Sequence, residues 1–229
     1  MLITKNGVIM DLFKNKTLYF PGCVTKFYLK NILANYNNLL KSFNINYITL
    51  PKEEKCCAVE ALESGYRQTF DKIAASNEIF FNKHKIKRII TNCPRCYRAF
   101  NEHYRIKAEL ILNLILKNIH KLKKKEGTIT YYDGAELGRK LNIINEPRDI
   151  LNQIGYNVME LPLNKKDTLG CGIGGGLKRN SPRIANEIAK LILKKVKTEI
   201  LVTADPLCYY HLKQNAKNVK VLELSEVLV

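Results

Sequence analysis

Three observations predict an α/β fold built as two tandem, pseudo-symmetric Rossmann-like lobes with parallel sheets. Short apolar, β-branched runs alternate with longer helix-like segments, the pattern of strands joined by crossover helices. The pattern restarts near residue 128, and the halves align: TNCPRCY matches TADPLCY 112 positions on, and EKCCAVEALESG matches LGCGIGGG 114 positions on. The cysteines of the first half fall just past predicted strands, on the edge where open parallel sheets bind ligands.

Taken in order, TLYF (17–20) reads as a strand, FYLKNILANYNNLLKSF (27–43) as an amphipathic helix and NYITL (46–50) as the second strand. A long helix follows over 58–83, then the strand IKRIIT (86–91) and a helix from Tyr97 onward. The basic segment KLKKKEGT (121–128) reads as a linker between a lobe at 1–122 and a lobe at 128–229. In the second lobe TITYYD is a strand, EPRDILNQIG a helix, YNVMELP a strand, SPRIANEIAKLILKKVK a helix and ILVTAD a strand.

With 229 residues, 46% of them hydrophobic, the chain can bury a sizeable core. Its N-terminal residues lack the features of a signal peptide, and no apolar run of about 18 residues predicts a membrane span. The expected compartment is the cytoplasm, where clustered cysteines serve more often as metal ligands or redox groups than as structural disulfides. The net charge of +17, from 38 Lys and Arg against 21 Asp and Glu, raises nucleic acid as a partner. The lysines are scattered over predicted helices and no nucleic-acid motif is present, so the charge reads as a solvated surface, with an acidic protein partner as the second reading.

Five of the seven cysteines form one constellation: Cys23, thirty-two residues, Cys56-Cys57, thirty-five residues, then Cys93-x-x-Cys96. Three predicted strand ends thus deliver five thiols to one edge. With YFPGC, NCPRCYRAF, LGRKLNIINEPRDIL, GCGIGGGLKRNSPRIANEIAKL and VTADPLCYYHL, this pattern resembles the cysteine-rich CCG domain of heterodisulfide reductase subunits B and D. The same domain occurs in the iron–sulfur subunits of glycolate oxidase and anaerobic glycerol-3-phosphate dehydrogenase and in lactate-utilisation proteins, usually as two motifs in tandem.

The resemblance implies that a complete motif holds a non-cubane 4Fe-4S cluster through five cysteine thiolates, here Cys23, Cys56, Cys57, Cys93 and Cys96. Thiolates are the soft ligands such clusters require. The glycine that usually follows the pair is Ala58 here. In the second half Ala135, Gly170 and Asp205 stand where the family has ligands, and only Cys171 and Cys208 remain. One cluster is therefore expected, in the first lobe. Cys171 and Cys208 read as buried thiols that could instead bind a metal weakly with Asp205.

The implied function is an iron–sulfur oxidoreductase subunit that transfers electrons or reduces a disulfide-type substrate. The two-cluster disulfide cleavage of heterodisulfide reductase needs both motifs. No ferredoxin-like run of closely spaced cysteines is present, so electrons would come from a partner, a ferredoxin-like protein or a flavoprotein subunit. The alternative is a partner-binding protein with a structural zinc site in the same cysteines and no catalysis. CPRC alone could also be a thiol–disulfide motif at a helix N-terminus, although that leaves Cys23, Cys56 and Cys57 unexplained. Gly172 to Gly176 lacks the spacing of a phosphate-binding loop. His84, His103, His120 and His211 are dispersed and read as structural, and Tyr97, Tyr209 and Tyr210 are expected to pack beside the site.

Overall fold

The computed structural model describes residues 15–229; the reading of residues 1–14 as free of a signal peptide lies outside the described residues. Strand β1 (Lys16–Tyr19) leads into helices α1 (Cys23–Tyr28) and α2 (Lys30–Ser42). After a long loop come α3 (Val59–Glu63), α4 (Arg67–Lys83), β2 (Ile86–Thr91), α5 (Pro94–His103), β3 (Lys107–Leu110) and α6 (Ile111–Lys117). The second half runs β4 (Gly127–Tyr131), a π-helix (Ala135–Lys140), α7 (Asn145–Ile154), β5 (Tyr156–Glu160), α8 (Leu177–Asn180) and α9 (Pro182–Leu193). It ends with β6 (Ile200–Thr203), α10 (Pro206–Asn215), β7 (Lys220–Glu223) and α11 (Leu224–Leu228).

Both sheets are parallel. The first has the order β1-β2-β3 and the second β5-β4-β6-β7. The predicted strand at 46–50 is reduced to one parallel bridge, Ile48 to Leu18, on the free side of β1. Pro51 follows at once and has no N–H to offer, so the ladder stops there. Counting that bridge, the two sheets share one strand order, which is the backbone counterpart of the repeat.

Two predicted helices are broken. The one over 27–43 is interrupted at Leu29 (φ −123°, ψ 63°), and the one over 58–83 at Ser64–Tyr66. Helix α5 begins at Pro94, earlier than expected, because proline with its fixed φ suits the first helical position.

A large apolar core runs from Ile32, Tyr36 and Leu40 of α2 through Ile129 and Tyr131 of β4 to Leu224 and Val227 of α11, so the two halves share it. A smaller aromatic core lies under the first sheet, where Phe20 and Phe100 meet edge to face at 4.9 Å. Each such side chain contributes roughly 1.5–3 kcal/mol by burial. Polar links also join the halves: the Tyr36 hydroxyl donates to Glu223 at 2.6 Å, and Lys140 of the π-helix pairs with Glu63 of α3 at 2.6 Å. Among the described residues no helix is long and apolar enough to cross a membrane.

Candidate metal centre

Parallel pairing puts the ends of β1 and β2 side by side, with Tyr19 opposite Ile90. The chain leaves β1 and turns through Gly22 to place Cys23 at the first position of α1. It leaves β2 through Asn92 to place Cys93 as the N-cap of α5, with Cys96 one turn inside that helix. Cys56 and Cys57 arrive from the loop beyond Ile48. The five predicted thiols gather at one place: Cys57 and Cys96 have sulfurs 3.3 Å apart, and Cys23 with Cys56, Cys56 with Cys57 and Cys96 with Cys93 lie close enough to shift one another's protonation. Cys57 and Cys96 are buried, Cys93 is half-buried, and Cys23 and Cys56 face outward.

Close approach of the two loops depends on Gly22. Its φ of +77° belongs to the left-handed side of conformational space, and a Cβ there would lie 2.9 Å from Cys93 Cβ and 3.2 Å from Cys96 Sγ. The cysteine pair is held from below. Asn77 Nδ2 donates to the Cys56 carbonyl at 2.9 Å, and the Tyr104 hydroxyl donates to the Cys57 carbonyl at 2.9 Å. Neither residue lies in a motif, and sequence reasoning missed both. A polar residue buried on the apolar face of α4 was the one available signal for Asn77.

Negative charge concentrates on Cys56. Its thiol is held far below the ordinary range, first by donation from Cys23 and then from Cys57, against the opposing effect of burial. The Ala58 N–H, 3.3 Å away, and the Arg95 guanidinium add to the effect. Cys23 and Cys57 are pushed up by the same contacts with Cys56, and Cys96 by its contact with Cys57. Arg95, between Cys93 and Cys96, is itself fixed by Glu60 at 2.6 Å and by Glu63. A set of soft sulfur donors with one anion already favoured and a cation alongside fits the demands of an iron–sulfur cluster. Among the described residues no three His, Cys, Asp or Glu side chains are set to close on a single metal ion.

In the second lobe the corresponding backbone is retained and most donors are replaced. Gly134, at φ +71°, takes the place of Gly22, followed by Ala135 instead of Cys23. Gly172 (φ +92°) corresponds to Ala58, which keeps the same left-handed conformation at φ +62° without being glycine. Asp205 replaces Cys93 as the N-cap of α10 and accepts from the N–H groups of Leu207 and Cys208. Cys171 and Cys208 survive, both buried, with sulfurs 2.7 Å apart. Above them opens a cavity of about 810 Å³, lined by Ala135, Gly170, Asp205, Arg139 and the two cysteines, with Arg95 of the first lobe completing its wall.

The remaining predicted residues are structural neighbours. His84 contacts Glu53 at 3.0 Å, His103 meets the Phe70 ring, and the buried His211 ring bonds the Ala185 carbonyl at 3.0 Å. His120 is exposed. Tyr209 is buried, and Tyr97 and Tyr210 pack against the larger core.

Known proteins place these features in a lineage. An iron–sulfur protein of Methanocaldococcus jannaschii is 27% identical over 90% of this chain and 43% of its own length. In Methanosarcina barkeri, one component of the dihydromethanophenazine:CoB–CoM heterodisulfide reductase is 26% identical over 90% of this chain and 56% of its own. The chain thus spans about half the length of the curated relatives it matches. Among solved structures, aspartate racemase of Picrophilus torridus covers 93% of this chain and 90% of its own at 15% identity and a TM-score of 0.40, too distant to bear on function. The family model described as CCG, cysteine-rich domain, matches residues 17–101 and again 129–213, one match for each sheet. By that double match over two similar parallel sheets, the chain belongs to the CCG cysteine-rich domain family.

Proposed function

We propose that this chain is an iron–sulfur oxidoreductase subunit that holds one 4Fe-4S cluster, of non-cubane type, through Cys23, Cys56, Cys57, Cys93 and Cys96. The observation that carries the reading is the gathering of these five free thiols at one sheet edge, with Cys57 and Cys96 in contact, set against a second lobe with two thiols left. The lobes are taken as 1–122 and 128–229, with the cluster in the first.

Bound there, the cluster would supply a one-electron carrier whose potential depends on burial and on hydrogen bonds to sulfur. The protein's own residues do the rest. Gly22 admits the CPRC turn, Asn77 and Tyr104 fix the cysteine pair, the Ala58 N–H and Arg95 favour the charged sulfur, and Cys57 and Cys96 close the inner side. Cys23 and Cys56 leave the outer side open, beside the exposed rings of Phe27 and Tyr28. An open side suits electron transfer with a ferredoxin-like or flavoprotein partner, or reduction of a disulfide-type substrate. That the heterodisulfide reductase relative is itself a subunit supports a partner.

The test is anaerobic purification with iron, sulfide and zinc quantified, followed by electron paramagnetic resonance of oxidised and reduced protein. About four irons per chain and a signal abolished by Cys57→Ser, with Cys208→Ser nearly silent, are expected. A colourless protein with one zinc, refusing iron on reconstitution, would establish the structural zinc site instead.

A further inference from the structure

The two cysteines that survive in the second lobe are the counterparts of the pair that touches in the first. Cys57 and Cys96 lie 3.3 Å apart; Cys171 and Cys208, at the matching positions, lie 2.7 Å apart. The replaced positions, Ala135, Gly170 and Asp205, correspond to the three thiols that are less buried in the first lobe. All three line the cavity of about 810 Å³, and so do Cys171 and Cys208.

We propose that Cys171 and Cys208 form a redox-active dithiol–disulfide couple opening on this cavity and exchanging with small-molecule thiols and disulfides. The chemistry needs no metal and stands whether or not the first lobe holds a cluster.

Donor supply separates this from a metal site: Ala135 and Gly170 offer no ligand atom, and among the described residues no three His, Cys, Asp or Glu side chains are set to close on a single metal ion. Two features separate it from inert buried thiols. Both cysteines border an open cavity large enough for a tripeptide-sized disulfide. Cys208 also stands in the first turn of the ten-residue α10 with its Sγ 3.5 Å from Asp205 Oδ2, a proton acceptor in direct reach; contact with Cys171, burial and the Asp205 charge keep the resting thiol protonated, so its proton leaves as the sulfur attacks.

In the oxidising direction, Asp205 takes the Cys208 proton and the thiolate attacks a disulfide RSSR. One RS⁻ leaves and a mixed Cys208–S–S–R forms. Cys171, deprotonated, then attacks the Cys208 sulfur and expels the second RS⁻. The two RS⁻ take up the two cysteine protons. The protein pair loses two electrons and RSSR gains them as two thiols. Reduced small thiols run the steps backward.

The test incubates the full-length protein anaerobically in buffers of reduced and oxidised glutathione, traps free thiols with N-ethylmaleimide and maps the peptides. A Cys171–Cys208 link should appear and disappear reversibly, its ratio to the dithiol changing tenfold for each tenfold change in oxidised glutathione at fixed reduced glutathione. With Cys171→Ser, Cys208 should form a mixed disulfide with glutathione without unfolding. Three results would overturn the proposal: a pair that stays reduced throughout; a link present unchanged in every buffer; or, in Cys171→Ser, a Cys208 that reacts only after denaturation. A stoichiometric metal lost from Cys208→Ser would overturn it equally.

Discussion

Replacing Arg148 with methionine isolates what holds the second lobe's strand ends in place. Its guanidinium donates to both oxygens of Asp133 (2.7 and 3.0 Å), both oxygens of Glu160 (2.6 and 2.7 Å) and the Ile144 carbonyl (2.6 Å), and it stacks 5.0 Å from the Tyr131 ring centroid. It thereby ties the residues after β4 and the end of β5 to α7. Asp133 is 1% exposed and would keep the Lys165 N–H at 2.7 Å but no counter-charge, so removing the guanidinium strands a buried charge, a change that costs about 3–5 kcal/mol. Glu160, a third exposed, recovers solvation from water, so the lower end, about 3 kcal/mol, is expected for Arg148→Met. For a chain of this size that is roughly 6–12 °C of melting temperature. Urea and thermal unfolding of reduced protein measure it. The double variant Arg148→Met/Asp133→Asn should regain at least about 1 kcal/mol relative to the sum of the singles, because loss of both partners leaves no orphan charge. A single variant within about 1 kcal/mol of wild type, or a strictly additive pair, would refute the reasoning.

Three further outcomes follow from individual groups. Burial pushes the Glu223 carboxyl up to about 7 from 4.5, against donation from Ser225 and Tyr36. The folded state therefore keeps a proton that the unfolded chain releases near 4.5, and the stability this contributes, roughly 3 kcal/mol, is complete below that pH and lost as pH rises through about 7. Urea midpoints at pH 5.5 and 8 should show a fall, and Glu223→Gln should reduce it by about half, because burial also pushes the Glu54 carboxyl up to about 7. Gly22→Ala drives a methyl group into Cys93 and should at least halve the iron retained per chain after desalting. Ala58→Gly relieves a left-handed alanine and should raise stability by about 0.5–1 kcal/mol in the same urea assay, with iron content unchanged.

The architecture was legible where the chain repeats itself. Five predicted strands and the delivery of cysteines past their ends follow from periodicity and from the 112- and 114-residue offsets, and the parallel sheets agree. Weaker signals failed for local reasons. NYITL has strand composition but abuts Pro51, and LILNLIL (110–116), apolar except for Asn113, conceals the change from β3 to α6 because so nearly continuous an apolar run has no clear period. The last elements, β7 and α11, lie in NVKVLELSEVLV, where Glu223 and Glu226 form a capping box that reads as a strand pattern unless the cap is noticed. For the site, the sequence supplied the thiols but not their order of contact. That order depends on Asn77, Tyr104 and Gly22, which act through a carbonyl, a hydroxyl and the absence of a methyl.

That contact order gives the divergence of the lobes a physical account. In the first lobe Cys93 is the N-cap of α5 without a side-chain cap bond, and four other sulfurs gather around it. In the second, Asp205 at the same position caps α10 through two backbone N–H groups, a substitution worth about 1 kcal/mol without any ligand. Arg148 ties down the neighbouring strand ends, and Gly134 retains the backbone turn that Gly22 makes. With the loops so held, Ala135 and Gly170 can stand where the first lobe has Cys23 and Cys56 without collapse, and both line the cavity. The sulfurs with the most buried counterparts, Cys171 and Cys208, remain at its floor. Their lobe reads as a scaffold whose supports are the protein's own groups, the Asp205 cap and the Arg148 ion pairs, with the two remaining sulfurs left in contact beside open space.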